Sequence, residues 1–230
     1  MIKETLKNVL YAKRLKGGLQ DKISIFLSLN RLMLKKKFGK KSNDLVSANF
    51  YGYKVYSPSY FDLQYLFKEI FISNQYHFQS SSNSPLIVDC GANIGMSILF
   101  FKHIYPEARI IAFEANPRMF EILSKNVNKN NLKNVELHNI ALYDRETELS
   151  FFSGSSDGNL LGSVLESKGG SNHIKVQSKR LSDYLQNHES VDLIKIDVEG
   201  AELNIIDDLI ASSTITKARQ YFIEYHHNRK

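Results

Sequence analysis

Residues 88–95 read VDCGANIG and combine a carboxylate with two glycines in a pattern that suits ligand binding. Gly91 and Gly95 would allow a tight turn and a close approach of the backbone to a ligand. Asp89 would repel a pyrophosphate, but it could accept a hydrogen bond from an ammonium group or hold the loop through water. The two glycines are four residues apart, unlike the G-x-G-x-x-G of dinucleotide-binding loops. These features favour S-adenosylmethionine, whose methionine part carries an ammonium group, over NAD, which carries a pyrophosphate.

A second carboxylate lies where the next predicted strand ends. Glu114 follows Gly95 by 19 residues, at a place where an acid can accept hydrogen bonds from both hydroxyls of a ribose. Taken alone, it could instead be a surface residue or pair with the dipole of the helix that begins at Pro117. The spacing of Glu114 from Asp89 and the glycines in the sequence favours a role in ligand binding. Asn139 and Ala141, late in the third predicted strand, would then lie near an adenine.

Charged residues also interrupt two otherwise apolar strands near the end of the chain. Lys195, Asp197 and Glu199 alternate with apolar residues, and Glu224 and His226 alternate in the same way on the last predicted strand. Because buried charges are costly unless they pair or serve a site, this pattern indicates a functional cluster or a buried ion pair.

Three hypotheses fit the charged cluster. Asp197, Lys195, Glu199 or Glu224 could contact an acceptor hydroxyl and remove its proton. Asp197 and Glu224, with Glu199 or His226, could hold a divalent ion. Alternatively, Lys195 pairs with Asp197 or Glu224 and the cluster is structural. We favour direct contact with the acceptor, with Asp197 as the first candidate, over a metal site.

Apolar strands alternate with helices through the second part of the chain. They are predicted at Leu86–Cys90, Arg109–Ala115, Val135–Leu142, Asp192–Val198 and Gln220–His226, with added strands at Leu149–Phe152 and His173–Lys179. This alternation predicts an α/β fold, a parallel sheet with helices on both faces. Ligands bind such sheets at the carboxyl ends of the strands, where the candidate residues lie.

The first part of the chain has a different pattern. Residues 1–80 predict a basic helical extension, a short hairpin at Asn49–Ser57 and a helix at Tyr60–Tyr76 packed on the sheet. The serine-rich stretch 79–85 would separate this extension from a main domain at 81–230.

Four segments together resemble the FkbM family of methyltransferases: VDCGANIG at 88–95, IAFEANP at 111–117, LIKIDVEGAE at 193–202 and FIEYH at 222–226. The resemblance covers roughly residues 80–226. It implies a Rossmann-like class I methyltransferase fold, S-adenosylmethionine as cofactor, and commonly O-methylation of sugar hydroxyls in glycans or glycosylated natural products. It also implies that Asp89, Gly91, Asn93, Gly95 and Glu114 bind the cofactor.

Other functions compete with this expectation. An NAD(P)-dependent oxidoreductase has a similar layout, and a non-catalytic binding module could retain the methyltransferase fold. A nucleic-acid base methyltransferase is less favoured, because Ile-Asp-Val-Glu-Gly stands where many such enzymes have an Asn/Asp-Pro-Pro-aromatic run. Class I methyltransferases usually continue beyond the fifth strand. We therefore expect either a fragment or a short sheet whose exposed edge pairs with a second copy or another partner.

The positive charge is confined to one end of the chain. Residues 1–45 contain twelve Lys or Arg and three acids, a net charge of +9, whereas the rest has a net charge of −3. This segment could be a solvated helix or could touch anionic lipid, a charged glycan or nucleic acid; the main domain gives no reason to expect nucleic acid. The single cysteine, Cys90, and the absence of a secretory signal pattern predict a soluble cytoplasmic protein.

Overall fold

The computed structural model describes residues 2–14, 18–38, 44–153, 162–163 and 172–226. The α-helices in chain order are α1 (Ile2–Arg14), α2 (Leu19–Phe38), α3 (Tyr60–Leu66), α4 (Met96–Ile104), α5 (Pro117–Lys129), α6 (Leu181–Leu185) and α7 (Glu202–Ala211). The strands are β1 (Val46–Phe50), β2 (Tyr53–Ser57), β3 (Leu86–Cys90), β4 (Arg109–Phe113), β5 (Val135–His138), β6 (Ala141–Leu142), β7 (Thr147–Ser153), β8 (Gly162–Ser163), β9 (Asn172–Lys179), β10 (Leu193–Ile196) and β11 (Tyr221–Ile223).

The central sheet has the order β11-β10-β3-β4-β5, and all its neighbouring strands are parallel. Its first strand lies in the middle, and successive strands are added outwards on each side. Ile87 packs into one hydrophobic cluster, whereas Leu86 and Val88 pack into another on the opposite face. Both faces are therefore covered by helices. The predicted α/β class is confirmed.

The third predicted strand, Val135–Leu142, is divided in the structure. β5 belongs to the central sheet, whereas β6 joins a second sheet of order β6-β9-β7-β8. Between them, the Asn139 side chain donates to the backbone oxygens of Glu114 and Ala115, at 2.8 and 3.3 Å. This contact lies where the chain leaves the central sheet. The added strands at Leu149–Phe152 and His173–Lys179 are confirmed as parts of β7 and β9.

The N-terminal segment packs directly on the central sheet. Buried residues of α2, the β1–β2 hairpin and α3, such as Ile25, Phe50 and Leu63, share one hydrophobic cluster with Ile87 of β3. Tyr51 and Gly52 connect the hairpin with positive φ angles of 49° and 84°, as a two-residue turn of this hand requires. The division at residue 80 stays a prediction.

The helix predicted at Tyr60–Tyr76 begins as α3 and continues as a π-helix at Phe67–Ile72. The Ser59 hydroxyl caps it by accepting a hydrogen bond from the Asp62 N–H at 3.1 Å. In the π-helical turn the Ser73 N–H donates to the Lys68 oxygen, five residues earlier. Such turns are rare and often occur at functional sites, where they change the direction of side chains.

Asn126 of α5 and Asn130, which caps the end of that helix, hydrogen-bond to the backbone of β2. The Asn126 amide accepts from the Tyr56 N–H at 2.7 Å and donates to the Tyr56 oxygen at 3.0 Å, and Asn130 makes the equivalent pair with Lys54. Asn126 also donates to the Ile94 oxygen at 2.8 Å. It is buried, so it joins the hairpin, the loop after β3 and α5 without contact with water.

Among the described residues, each helix is too short or too polar to cross a membrane.

We predict that Asn126→Ala lowers the free energy of unfolding by about 3 kcal/mol, because three hydrogen bonds of this buried side chain are lost. Urea unfolding would measure the change. Asn128→Ala, on the exposed face of the same helix, serves as control and should change stability by less than about 0.5 kcal/mol. Equal stability of the two variants would contradict the role assigned to Asn126.

Candidate active site

A cavity of about 520 Å³ opens at the carboxyl ends of β3, β4, β10 and β11. The lining comes from the N-terminal segment and from five regions of the main domain: Tyr65, Leu66, Glu69, Ile70 and Tyr76; Gly91–Asn93, Met96 and Ser97; Phe113–Asn116 and Met119; Ile140–Leu142; Lys195, Asp197–Glu199 and Ala201; Glu224 and His226. The sheet therefore brings most of the predicted site residues to one place.

The loop after β3 is built from left-handed backbone. Gly91, Asn93 and Gly95 have φ angles of 87°, 51° and 85°. A Cβ on Gly91 would lie 1.9 Å from the Asp197 backbone oxygen, and one on Gly95 would lie 2.7 Å from Cδ1 of Leu123. Gly91 is thus required by its close packing on backbone, in addition to the tight turn that the sequence predicts. Gly95 meets only the end of the Leu123 side chain, and its left-handed φ angle is what favours glycine there. Gly91 and Asn93 line the cavity, whereas Gly95 does not.

Glu114 connects two loops at the edge of the cavity. One carboxylate oxygen accepts from the Asn93 N–H and the other from the Asn116 N–H, both at 2.8 Å. Burial raises the pKa of Glu114 to about 7, although both hydrogen bonds oppose the rise. Each oxygen keeps a further lone pair for a ligand hydroxyl.

The residues predicted near an adenine occupy different places. Ala141 lines the cavity. Asn139 is not on the lining, and its amide is engaged with the backbone of Glu114 and Ala115. Its position indicates that it holds the loop that follows Glu114.

Asp89 is fully buried and does not reach the cavity surface. One of its oxygens accepts a hydrogen bond from the Ser97 hydroxyl, and the other lies 3.1 Å from Nζ of Lys195. A ligand ammonium at Asp89, as the sequence suggested, would need an accessible carboxylate. The structure supplies the protein's own ammonium there instead, so Asp89 supports the site through Lys195.

Lys195 connects the ends of two neighbouring strands. Nζ lies 3.1 Å from Asp89 on β3, 3.4 Å from Asp197 just after β10, and 2.9 Å from the Gly91 oxygen to which it donates. Burial alone would lower its pKa, but the charges of Asp89 and Asp197 outweigh burial and raise the pKa well above the ordinary value. Lys195 is therefore a permanent ammonium and is unsuited to the general-base role that the sequence allowed.

Asp197, Glu199, Glu224 and His226 form the carboxylate–histidine cluster at one end of the cavity. Nε2 of His226 lies 3.4 Å from Glu224, 3.7 Å from Glu199 and 3.8 Å from Asp197. Nδ1 lies 3.0 Å from the fully buried carboxylate of Glu202. If Nδ1 donates to Glu202, Nε2 presents its lone pair to the cluster.

The strand alternation that suggested the cluster is only partly present. β10 ends at Ile196 and β11 at Ile223, so Asp197, Glu199 and Glu224 lie beyond the strands. Glu199 reaches the cavity through a left-handed backbone with φ 57°. The carboxylates converge because parallel strands end at the same edge of the sheet.

The cluster could also hold a divalent cation. Asp197, Glu199 and His226 each offer one ligand atom within 4.8 Å of the others. Of the residues that the metal hypothesis named, Asp197, Glu199 and His226 meet this spacing, whereas Glu224, one of its two main ligands, is not in the group.

Sequence reasoning missed the part of the cavity wall that comes from the N-terminal segment. Tyr65, Glu69 and Tyr76 come from the segment predicted only as packing against the sheet. The Tyr65 hydroxyl donates to Glu69 at 3.0 Å, and that of Tyr76 donates to Asp197 at 3.1 Å. Burial, and then the hydrogen bond to Glu69, raise the pKa of Tyr65 to about 12. The polar groups of Tyr65 and Glu69 in a largely apolar helical segment were the available signal, whereas Tyr76 lies beyond the helix.

We predict that Lys195→Met lowers the free energy of unfolding by about 3–5 kcal/mol, because Asp89 stays buried without its cation. Adding Asp89→Asn should restore part of this loss, as measured by urea unfolding in a double-mutant cycle. Lys129→Met, at an exposed position, is the control. Additive losses in the double variant would show that the two residues are not coupled.

Comparison with known proteins agrees with these features. A family model described as the methyltransferase FkbM domain matches residues 89–230. Methyltransferase sdnD of Sordaria araneosa is 31% identical over 194 residues, which cover 71% of this chain and 74% of that protein. The 2-O-methyltransferase NoeI of Sinorhizobium fredii is 31% identical over 160 residues, 61% of this chain and 63% of that protein.

A solved structure of the methyltransferase FkbM from Methylobacillus flagellatus aligns with 94% of this chain at 14% identity and a TM-score of 0.45. The present chain spans 47% of its length. The family match and the curated relatives, rather than this alignment, decide the assignment. The chain belongs to the FkbM family of methyltransferases.

Proposed function

We propose that this methyltransferase uses S-adenosylmethionine and methylates a hydroxyl oxygen of a sugar or a sugar-bearing small molecule. The observation that carries the proposal is the charge of the cavity. Its described lining contains five carboxylates, Glu69, Glu114, Asp197, Glu199 and Glu224, and only Lys195 and His226 as basic groups. Asp89, which lies behind the lining, already balances the ammonium of Lys195, so the lining keeps an excess of negative charge that favours a cation.

The residues present fit S-adenosylmethionine better than a dinucleotide. When bound, this donor supplies a methyl group on a positively charged sulfur. Glu114 would accept hydrogen bonds from its ribose hydroxyls, and the acidic lining would stabilise its cationic groups. The same lining would repel the pyrophosphate of NAD(P), which argues against the oxidoreductase alternative.

The carboxylate–histidine cluster would receive the acceptor hydroxyl. Transfer of a methyl group to a hydroxyl requires removal of its proton, since the ordinary pKa of a hydroxyl lies far above neutrality. His226 can accept that proton on Nε2, while Glu202 holds the ring and stabilises the imidazolium that forms. Asp197, Glu199 and Glu224 would orient the hydroxyl. Asp197 is itself held by Tyr76 and Lys195.

The acceptor side of the cavity is formed by Tyr65 and Glu69. The Tyr65 side chain is half exposed, and an aromatic face of this kind can pack against the C–H groups of a sugar ring. Glu69 can accept hydrogen bonds from the sugar hydroxyls. Both lie outside the matched residues 89–230. The name of the relative NoeI, a 2-O-methyltransferase, supports oxygen as the methylated atom.

Donor affinity should depend on pH through Glu114. Its pKa near 7 means that it is largely protonated at pH 6 and ionised at pH 8. Because ribose hydroxyls bind the ionised form better, we expect S-adenosylmethionine to bind about tenfold more weakly at pH 6 than at pH 8. Isothermal titration would measure this, with Glu114→Gln weakening affinity and removing the pH dependence.

NAD and NADP titrated under the same conditions provide the comparison. Tighter binding of either dinucleotide than of S-adenosylmethionine would overturn the proposed cofactor. An unchanged affinity in Glu114→Gln would place the ribose elsewhere in the cavity.

His226→Gln should lower kcat by about 10²–10⁴-fold and leave the Kd for S-adenosylmethionine unchanged, because glutamine cannot accept the proton. The assay uses labelled donor, a panel of sugars and glycans, and mass spectrometry of the products. His77→Gln, an exposed residue away from the lining, should retain full activity. Undiminished turnover of His226→Gln would exclude His226 as the base. Donor binding without methylation of any sugar would contradict the acceptor class.

A further inference from the structure

Helix α2 carries apolar side chains on two faces. Ile25, Leu29 and Leu32 are buried in the core cluster. A second set is exposed to solvent by 44–74%: Leu19, Ile23, Leu27, Leu34 and Phe38. These residues recur at intervals of four and seven, so they share one side of the helix and form the exposed stripe of α2.

Helix α1 pairs with α2 and presents a similar surface. Asn8 donates to Asn30 at 3.4 Å and the Lys22 ammonium to the Lys13 oxygen at 3.5 Å, which shows that the two helices run in opposite directions. Leu6 is 58% exposed, and Leu10, one turn later, is 56% exposed. Their exposed neighbours on this surface include Lys3, Lys7 and Lys13.

Basic groups surround the exposed stripe. Arg31 and the run Lys35–Lys37 are exposed on α2. Nζ of Lys36 lies 4.6 Å from the centre of the Phe61 ring, which is itself 56% exposed on α3. Residues 1–45 carry a net charge of +9, whereas the remainder of the chain carries −3. Cationic and apolar groups are therefore combined on the described surfaces of α1 and α2.

This combination selects the kind of partner. A second copy would bring the same positive charge to the contact and repel it. A nucleic acid would satisfy the lysines but would leave the exposed leucines in water. A membrane with anionic lipids satisfies both, because lipid phosphates attract the basic groups and the boundary of the acyl chains accepts the apolar ones.

We propose that α1 and α2 form a docking surface for anionic lipid membranes. The apolar side chains of the stripe enter the headgroup region while Arg31, Lys35 and Lys37 contact lipid phosphates. The helices lie along the membrane surface and do not cross it. The proposal is independent of the donor and acceptor assigned above.

Sedimentation of the full chain with vesicles tests the proposal. The vesicles contain phosphatidylcholine alone or with added phosphatidylglycerol. We expect binding to the anionic vesicles, little binding to the neutral ones, and a loss of binding as salt is raised. The paired change Ile23→Ser and Leu27→Ser should weaken binding by roughly tenfold or more, because two apolar side chains no longer enter the membrane.

The matched control is the pair Leu203→Ser and Ile210→Ser on α7. These side chains are 44% and 55% exposed, close to the 45% and 50% of Leu27 and Ile23, but they lie outside the stripe. Circular dichroism and thermal unfolding establish that all variants are folded. Failure to bind anionic vesicles, equal binding to both vesicle types, or equal losses in the two paired variants would overturn the proposal. A dimer that is abolished by Ile23→Ser and Leu27→Ser would assign the stripe to a second copy instead.

Discussion

The ammonium of Lys195, buried between Asp89 and Asp197, is the interaction on which the site depends. Taking the charges of Lys195 and Asp89 out of water is costly, and the cost is offset here because the ammonium lies 3.1 Å from Asp89 and 3.4 Å from the partly exposed Asp197. The ammonium also donates to the Gly91 oxygen, so one side chain fixes the ends of β3 and β10 and the loop between β3 and α4. Gly91 packs so closely on Asp197 that no other residue fits there.

This arrangement divides the carboxylates of the site between support and binding. Asp89 is fully enclosed and contributes by holding Lys195. Glu114 is also buried, but it lies at the cavity, where backbone N–H groups hold it in place and its remaining lone pairs face a ligand. At the other end of the cavity, the buried Glu202 carboxylate holds the His226 ring, as the Lys195 ammonium holds Asp197. A preorganised acidic cavity of this kind stabilises positive charge without rearrangement on binding.

The sequence predicted the central sheet well, because strands buried on both faces are nearly continuous apolar runs. It also predicted the N-terminal cap of α5, where Asn116 accepts from the N–H groups that follow and Pro117 begins the helix.

The identity of the partner of Asp89 was not predictable, because Lys195 lies far away in the chain and meets it only through the pairing of β3 with β10. The predicted alternatives for Lys195 were Asp197 and Glu224, and the first of these is present together with Asp89. The division of Val135–Leu142 between two sheets was missed because it depends on the pairing of β6 with β9, which lies far away in the chain. Likewise, the π-helical turn near Glu69 was missed, because an apolar periodicity of about 3.6 residues does not distinguish an α-helix from a single π-helical turn.

The most direct test of this account is the NMR signal of the Lys195 side chain in protein with isotope-labelled lysine, assigned with the Lys195→Met variant. If Lys195 is the buried cation that holds the strand ends, its signal will be that of an ammonium whose protons exchange slowly with water. It should stay protonated as the pH is raised past 10.5, the ordinary pKa of lysine. A neutral amine, or an ammonium that exchanges as fast as those of exposed lysines, would contradict the account.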